Sequence, residues 1–482
     1  MVRKLLLLII PPQKGLLKGF ATGIVSLAEY LSQKKAESFV DVQIIDYSQD
    51  TPEEVFIDSL KYAGVENLVV GVTTTTASYQ SAIDVAKSYK QNIPSCNVIF
   101  GGHHASADPE TVLRNNIGIV DYIIAGEGEV ALYNFLHDFP QVRNTPNLIY
   151  IDKSDIIKNT HAPLLSQEDL DLIMLGYKER KLYGHAGKFD TITYVSARGC
   201  PLQCSFCAVA NQKMRTKSTK KVCEDISQIL DLGFNTIAIE DNFFAHSHVR
   251  TMELCSSLSE VRKSYPSFRW DCQTRVESLK NPDIIMAMER AGCYAVYLGV
   301  EALNYDHLIY LGKSKTPDRY LELLSDLVIP NLLKSSVNCF INIQFGIPGS
   351  NSQHDSQTIS TLAAIGKRAA SMRKKVTVFP MLHVIYPGTK HYFDGVTVGY
   401  FSKDVFERFT QWEASQISLY NWMGDNFAHG TGGIPQGILN KEKLREGKFE
   451  IITDKVLEIQ NLLSKVKYME GISLFEYKPF IN

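Results

Sequence analysis

The sequence predicts an α/β protein with a doubly wound domain over residues 1–140, a connector over 141–188, a six-stranded partial (β/α)6 barrel over 189–392 and a small carboxyl-terminal α+β cap over 393–482. Three observations predict it. At 482 residues the chain exceeds what one ordinary core covers, so two or three domains are expected. Two blocks alternate short β-rich apolar runs with helical periodicity, the pattern of parallel sheets covered by helices. Between the blocks the text is irregular and polar, with Pro163 and one strand-like run, "NLIYID".

In the first block "KLLLLII", "VDVQIID", "NLVVGV", "NVIFGG" and "DYIIAGEGE" read as five strands. Amphipathic stretches such as "SYQSAIDVAKSYKQ" and "PETVLRNN" separate them, which predicts a Rossmann-like or flavodoxin-like sheet with helices on both faces. The apolar run after Arg3 and Lys4 is six residues long and Pro11 and Pro12 end it. No small-residue cleavage site follows, so it reads as a buried strand rather than a secretory signal. Ligands of such sheets sit beyond the carboxyl ends of the strands. Those ends are "PPQKG", "TTTTAS", "GGHHAS" and "GEGE", all small, polar or glycine-rich, which suggests a ligand-binding domain.

In the second block "TITYVSA", "TIAIED", "RWDCQTRVE", "AVYLGVE", "NCFINIQFGIPG" and "VTVFPMLHVIYPG" read as strands. Helical segments such as "KKVCEDISQILDLG" and "NPDIIMAMERAG" lie between them, so six βα units predict a partial TIM barrel with function at the carboxyl ends of its strands. The remainder holds Trp412, Trp422, a loop "HGTGG" and a terminal helix around "KVLEIQNLLSKVK". Segment 411–435 mixes Trp412 and Trp422 with Asp425 and His429. It is the place to look for substrate contacts, although aromatics at helical spacing serve equally as core.

Composition narrows the function classes. Hydrophobic content of 45%, charged content of 21% and a net charge of −2 leave no electrostatic footprint for nucleic acid or an anionic membrane. No apolar run approaches the length of about 20 that a membrane span needs. The nine cysteines are an odd number, and Cys96, Cys223, Cys255, Cys272, Cys293 and Cys339 stand singly. This is not a disulfide framework, and a reducing, cytoplasmic setting is expected.

The other three cysteines sit in "SARGCPLQCSFCAVA", where Cys200, Cys204 and Cys207 are spaced CxxxCxxC. Structural zinc takes four closed ligands, and no partner CxxC or HxxxH exists elsewhere in the chain. A thiolate-held iron–sulfur cluster is the alternative, and three ligands to four irons leave one iron open. The motif, with aromatic Phe206 before the last cysteine, resembles the radical S-adenosylmethionine (SAM) superfamily over most of the chain. That resemblance implies a 4Fe–4S cluster on Cys200, Cys204 and Cys207, SAM bound at the open iron, and reductive cleavage to a 5′-deoxyadenosyl radical that abstracts a substrate hydrogen.

The resemblance also implies SAM-binding positions. "IEDNFF" ends the second barrel strand and offers Glu240, Asp241 and Asn242 for the SAM amino group, although a merely polar strand end reads the same. "QTRVE" places Arg275 where a cation holds the carboxylate. "GVEALN" places Glu301 toward ribose hydroxyls, with a structural Arg275–Glu301 salt bridge as the competing account. "QFGIPGS" resembles the adenine-binding stretch, around Phe345 to Gly349, and Phe206 joins the set. "YPGT", Tyr386 to Thr389, matches a recurrent family turn or is turn chemistry alone.

A doubly wound domain ahead of such a barrel resembles the cobalamin-binding subgroup. "TTTTAS", "GGHHAS" and "GEGE" carry the match, with hydroxyls on Thr75, Thr76 and Ser78 and close backbone approach at Gly101, Gly102 and Gly126 beside Glu127. The first loop, "PPQKG", departs from the cobalt-ligating pattern by lacking histidine, as other members of the subgroup do. The subgroup implies cobalamin-dependent methylation of an unactivated carbon in a small-molecule substrate, with rearrangement, cyclisation or oxidation without methyl transfer as the alternative. A one-electron reductant of flavodoxin or ferredoxin type is implied as partner. A tRNA methylthiotransferase would need three further cysteines in the first domain, where only Cys96 lies, and a non-enzymatic iron–sulfur protein would need a fourth ligand. The sequence assigns no radical-quenching residue.

Overall fold

A computed structural model describes residues 3–12, 22–173, 191–406 and 433–475. The chain divides into two compact units. One holds Met1–Phe189 with Lys403–Ser415 and Gly430–Gly433, and the other holds Asp190–Ser402, Gln416–His429 and Ile434–Asn482.

The first unit is built on seven strands: β1 (Lys4–Ile10), β2 (Val40–Asp46), β3 (Leu68–Thr73), β4 (Asn97–Gly101), β5 (Tyr122–Ile124), β6 (Leu148–Asp152) and β7 (Asp155–Lys158). Their order is β2-β1-β3-β4-β5-β6-β7, with the first five parallel. This is the flavodoxin-like winding, whose direction reverses between β1 and β3. The run "KLLLLII" supplies side chains to both faces. Leu7 and Ile9 join Val70, Val72, Ile83 and Phe100 in one core, while Leu6, Leu8 and Ile10 join Ile24, Val25, Leu132 and Phe135 in the other. Period-two alternation of an unbroken apolar strand thus builds two cores at once. The stretch read as a connector contributes the antiparallel hairpin β6–β7 to the edge of this sheet. Its turn at Lys153 has φ +60°, a left-handed conformation that the polar text "DKSD" does not advertise.

The second unit carries the six anticipated strands in chain order: β8 (Thr191–Tyr194), β9 (Thr236–Ile239), β10 (Arg269–Thr274), β11 (Cys293–Glu301), β12 (Asn338–Phe345) and β13 (Val376–Leu382). A seventh, β14 (Ile472–Leu474), adds beside β13. All pairings are parallel, and neighbours in sequence are neighbours in space, the winding of a partial barrel. Helices Thr219–Asp231, His248–Ser264 and Ser352–Ser371 begin on Ser218, Ser247 and Asn351, whose side chains accept first-turn amides. Part of the stretch read as a cap therefore continues the sheet, with Thr453–Lys467 leading into β14. A three-residue strand is too short for its pattern to register in sequence. Among the described residues no helix is long and apolar enough to cross a membrane. Trp412, Trp422, Asp425 and His429 lie outside the described residues.

Candidate functional site

The cysteine loop leaves the carboxyl end of β8, and its base is closed by a two-residue ladder of Ala197–Arg198 against Arg215–Thr216. Gly199 is required there. Its φ is +87°, and a Cβ would lie 2.2 Å from the Lys213 carbonyl oxygen. The Cys200 carbonyl accepts from Gln212 and the Leu202 carbonyl from Asn211, while the Ser205 amide donates to the Leu311 carbonyl at 2.9 Å. The His391 amide donates to the Ser205 carbonyl at 3.0 Å. His391 lies in the first turn of the helix Lys390–Thr397, which Thr389 caps, and the Thr389 hydroxyl donates back to the Tyr386 carbonyl across "YPGT".

Cys200 is buried, while Cys204, Phe206 and Cys207 are half-buried. Burial raises the Cys200 thiol pKa and pushes that of Cys207 up to about 11, with each feeling the neighbouring cysteines. Such thiols hold their protons until a metal replaces them. Among the described residues no three Cys, His, Asp or Glu groups converge closely enough to chelate a single ion. A four-iron cluster asks for something different: three thiolates spread over one face of a larger body. An all-thiol donor set with mutual electrostatic coupling fits that group.

Arg275, just beyond β10, donates Nη1 to Cys204 Sγ at 3.3 Å, Nη2 to Glu277 at 2.8 Å and to the Lys313 carbonyl at 2.5 Å. Its carboxylate partner is Glu277, so the anticipated alternative of an Arg275–Glu301 salt bridge is corrected. Burial works against the charge, but Glu277 and Cys204 outweigh it and hold the guanidinium pKa above its ordinary value.

Glu301 ends β11 at a register shift, in left-handed backbone with φ +72°. A bulge re-aims a side chain, and a non-glycine residue held there signals a position that its surroundings impose. The carboxylate is buried, with Oε2 accepting from Gln344 Nε2 at 2.8 Å and Oε1 lying 3.7 Å from Lys313 Nζ. Gly299 makes room for it, since a Cβ there would lie 2.9 Å from Glu301 Oε1. Gln344 Oε1 in turn meets His383 Nδ1 at 2.6 Å. Lys313, Gln344 and His383 were invisible to the sequence reading because each comes from a different loop or strand end.

The acids after β9 separate. Glu240 keeps an accessible carboxylate in a recess where burial and Asp271 raise its pKa. Asp241 is fully buried, and its oxygens accept from the Ser196 amide and hydroxyl and the Ala197 amide at 2.5–2.8 Å. It clamps the backbone entering the cysteine loop through Ser196 and Ala197. Asn242 is exposed. Phe345 is buried beside a cavity of about 530 Å³, lined also by Gly346 to Ser350, Ala302, His307 and residues 436–442. That is the scale of a small-molecule pocket.

At the strand ends of the first sheet, Ser78 is fully buried and Thr75 and Ser78 exchange hydrogen bonds at 3.0–3.2 Å. Thr76 is buried against His104 Nδ1 at 3.2 Å, and His104 stacks on Tyr79. The hydroxyls of Thr75, Thr76 and Ser78 are thus each engaged within the protein. Gly102, with φ +93°, admits the Thr74 carbonyl, 2.5 Å from where its Cβ would be. Gly126 is exposed with nothing within 4 Å of its Cβ position, and Glu127 and Thr75 are half-exposed. Small residues thus leave the carboxyl edge of β3–β5 clear, which suits a flat ligand approaching the backbone.

Comparison with known proteins agrees with both halves. The B12 binding domain model matches residues 17–136, and the radical SAM superfamily model matches residues 194–329. An uncharacterised methyltransferase of Pyrococcus horikoshii is 26% identical over 66% of this chain and 70% of its own. The anaerobic magnesium-protoporphyrin IX monomethyl ester cyclase of Cereibacter sphaeroides is 26% identical over 58% of this chain, which spans only 47% of that relative. The radical SAM methyltransferase TsrM of Kitasatospora setae, solved with tryptophan and a SAM analogue, superposes with a TM-score of 0.64 at 15% identity. That likeness covers 83% of this chain and 77% of TsrM.

Proposed function

We propose, from the premise that this chain belongs to the radical SAM superfamily and carries a B12-binding domain, that it is a cobalamin-dependent radical SAM methyltransferase acting on an unactivated carbon of a small molecule. The observation that carries the reading is the all-thiol loop of Cys200, Cys204 and Cys207, set at the end of the first barrel strand in a chain that begins with a B12-binding domain. When bound, the cluster, SAM and cobalamin supply a 5′-deoxyadenosyl radical and a transferable methyl group.

This chain's own residues bind and orient. The three thiols would hold the 4Fe–4S cluster, while Arg275, hydrogen-bonded to Cys204, would offer a cation to the SAM carboxylate. Glu240 offers an accessible acid toward the SAM amino group, Glu301 offers lone pairs to ribose hydroxyls, and Phe206 and Phe345 offer apolar surface toward adenine. Thr75, Gly101, Gly102, Gly126 and Glu127 would line the cobalamin edge. Nine cysteines without a disulfide support a reducing, cytoplasmic setting, with electrons from a flavodoxin- or ferredoxin-type donor. The cyclase relative favours one second reading: the same radical chemistry without methyl transfer.

Anaerobic reconstitution with iron and sulfide, then hydroxocobalamin, desalting and metal analysis tests the proposal. About four irons and about one cobalt per chain are expected. Iron without cobalt removes methyl transfer and leaves the second reading. Absence of iron removes both.

A further inference from the structure

Resting on the reading that Glu301 receives ribose hydroxyls, we infer that Gln344 and His383 are positioning residues that hold the Glu301 carboxylate for a vicinal diol and discriminate SAM by its ribose.

The proton inventory of this chain of groups has one solution. A carboxylate only accepts, so Glu301 Oε2 requires a donor, and Gln344 must present Nε2 to it, at 2.8 Å. That leaves Gln344 Oε1 facing His383 Nδ1 at 2.6 Å, and an amide oxygen only accepts, so Nδ1 carries the proton. His383 is fully buried, and burial pushes its pKa down to about 3, which keeps the ring neutral and its Nε2 a bare acceptor. Among the described residues Nε2 indeed has no hydrogen-bond partner. Reversing the amide would set its oxygen against the Glu301 carboxylate. Each link is therefore oriented by the next, from β13 through β12 to β11.

The result at Glu301 is specific. A carboxylate has about four lone-pair positions. Gln344 occupies one and the Lys313 ammonium faces another, leaving two for incoming donors. Two hydroxyls on adjacent carbons supply two donors, whereas a deoxyribose supplies one fewer. The left-handed backbone of Glu301, the register shift beside it and the space left by Gly299 all aim the same carboxylate. Such convergence exceeds what a packing ion pair needs.

The test is equilibrium binding of S-adenosylhomocysteine and its 2′-deoxy analogue to the anaerobically reconstituted full chain. His383→Leu removes the Nδ1 donor, His383→Asn keeps an amide donor near the same place, and Gln344→Met removes the amide at similar volume. His383→Leu and Gln344→Met are each expected to weaken S-adenosylhomocysteine about tenfold, the loss of a hydrogen bond to a charged group, with little change for the 2′-deoxy analogue. His383→Asn is expected to restore most of the discrimination. Iron content and the cluster absorbance check that each variant is folded and loaded, and Gln344→Met serves if His383→Leu does not fold. Unchanged discrimination in a folded variant overturns the positioning role. Failure of the wild type to discriminate overturns instead the assignment of Glu301 to ribose.

Discussion

Asp271 shows how a single buried carboxylate sets a pH dependence. It accepts from the Tyr294 hydroxyl at 2.6 Å, yet burial raises its pKa from 3.8 to about 6. A raised folded pKa means that the folded state holds the proton more tightly. The associated stability is complete below about pH 4 and is lost as pH rises through about 6, a change on the order of 2–3 kcal/mol. Asp271→Asn should therefore raise the melting temperature of the apoprotein more at pH 8 than at pH 4. Parallel melting curves at the two pH values would count against a strained carboxylate. Gly199 makes the opposite point, because its requirement is purely steric: Gly199→Ala drives a methyl group into the Lys213 carbonyl and should disrupt the cysteine loop without altering any charge.

The elements around that loop are joined by buried charge. Asp225, in helix Thr219–Asp231, accepts from the hydroxyl of Tyr194 on β8 at 2.8 Å and from Lys217 and Lys221 at 2.7 and 2.6 Å. Strand, loop exit and helix meet on one carboxylate that is 1% exposed. Asp225→Asn keeps the shape but removes the buried negative charge that Lys217 and Lys221 share, which should cost about 3–5 kcal/mol. Chemical denaturation of the variant measures it, and a loss below about 1 kcal/mol would mean that the lysines reach solvent. At this scale the legibility of the sequence is uneven. Unbroken apolar runs such as "KLLLLII" and the spacing of Cys200, Cys204 and Cys207 are local signals, and both survive in the fold. The hairpin β6–β7 and strand β14 do not announce themselves, since one depends on a left-handed lysine and the other is three residues long. At Asp241 a polar strand end looks alike in sequence whether it faces a ligand or, as here, the backbone of Ser196. Gln344 and His383 lie 43 and 82 positions from Glu301, and no pattern within a window links them.

For the whole molecule, the division into two units predicts separable cofactor loading. The first sheet has its own two cores, so its fold does not depend on the cysteine loop. Cys204→Ala should bring iron close to zero and abolish reductive SAM cleavage while cobalt uptake stays at the wild-type level. Gly126→Val, which fills the clear edge beyond β5, should lose most cobalt retention and keep iron. Metal analysis of both variants reads the outcome, and loss of both metals in either one would contradict independent loading.

The brace on the cysteine loop has a consequence during translation. Ser205 is held by the Leu311 carbonyl, which is 106 positions later in the chain. A ribosome adding about 5–20 residues per second reaches that point roughly 5–20 s after the thiols emerge. Throughout that interval Cys200, Cys204 and Cys207 lack the segment that anchors their loop. A thiol oxidant met in that interval finds cysteines that no anchored loop yet shields, so the conditions of synthesis matter as well as those of purification.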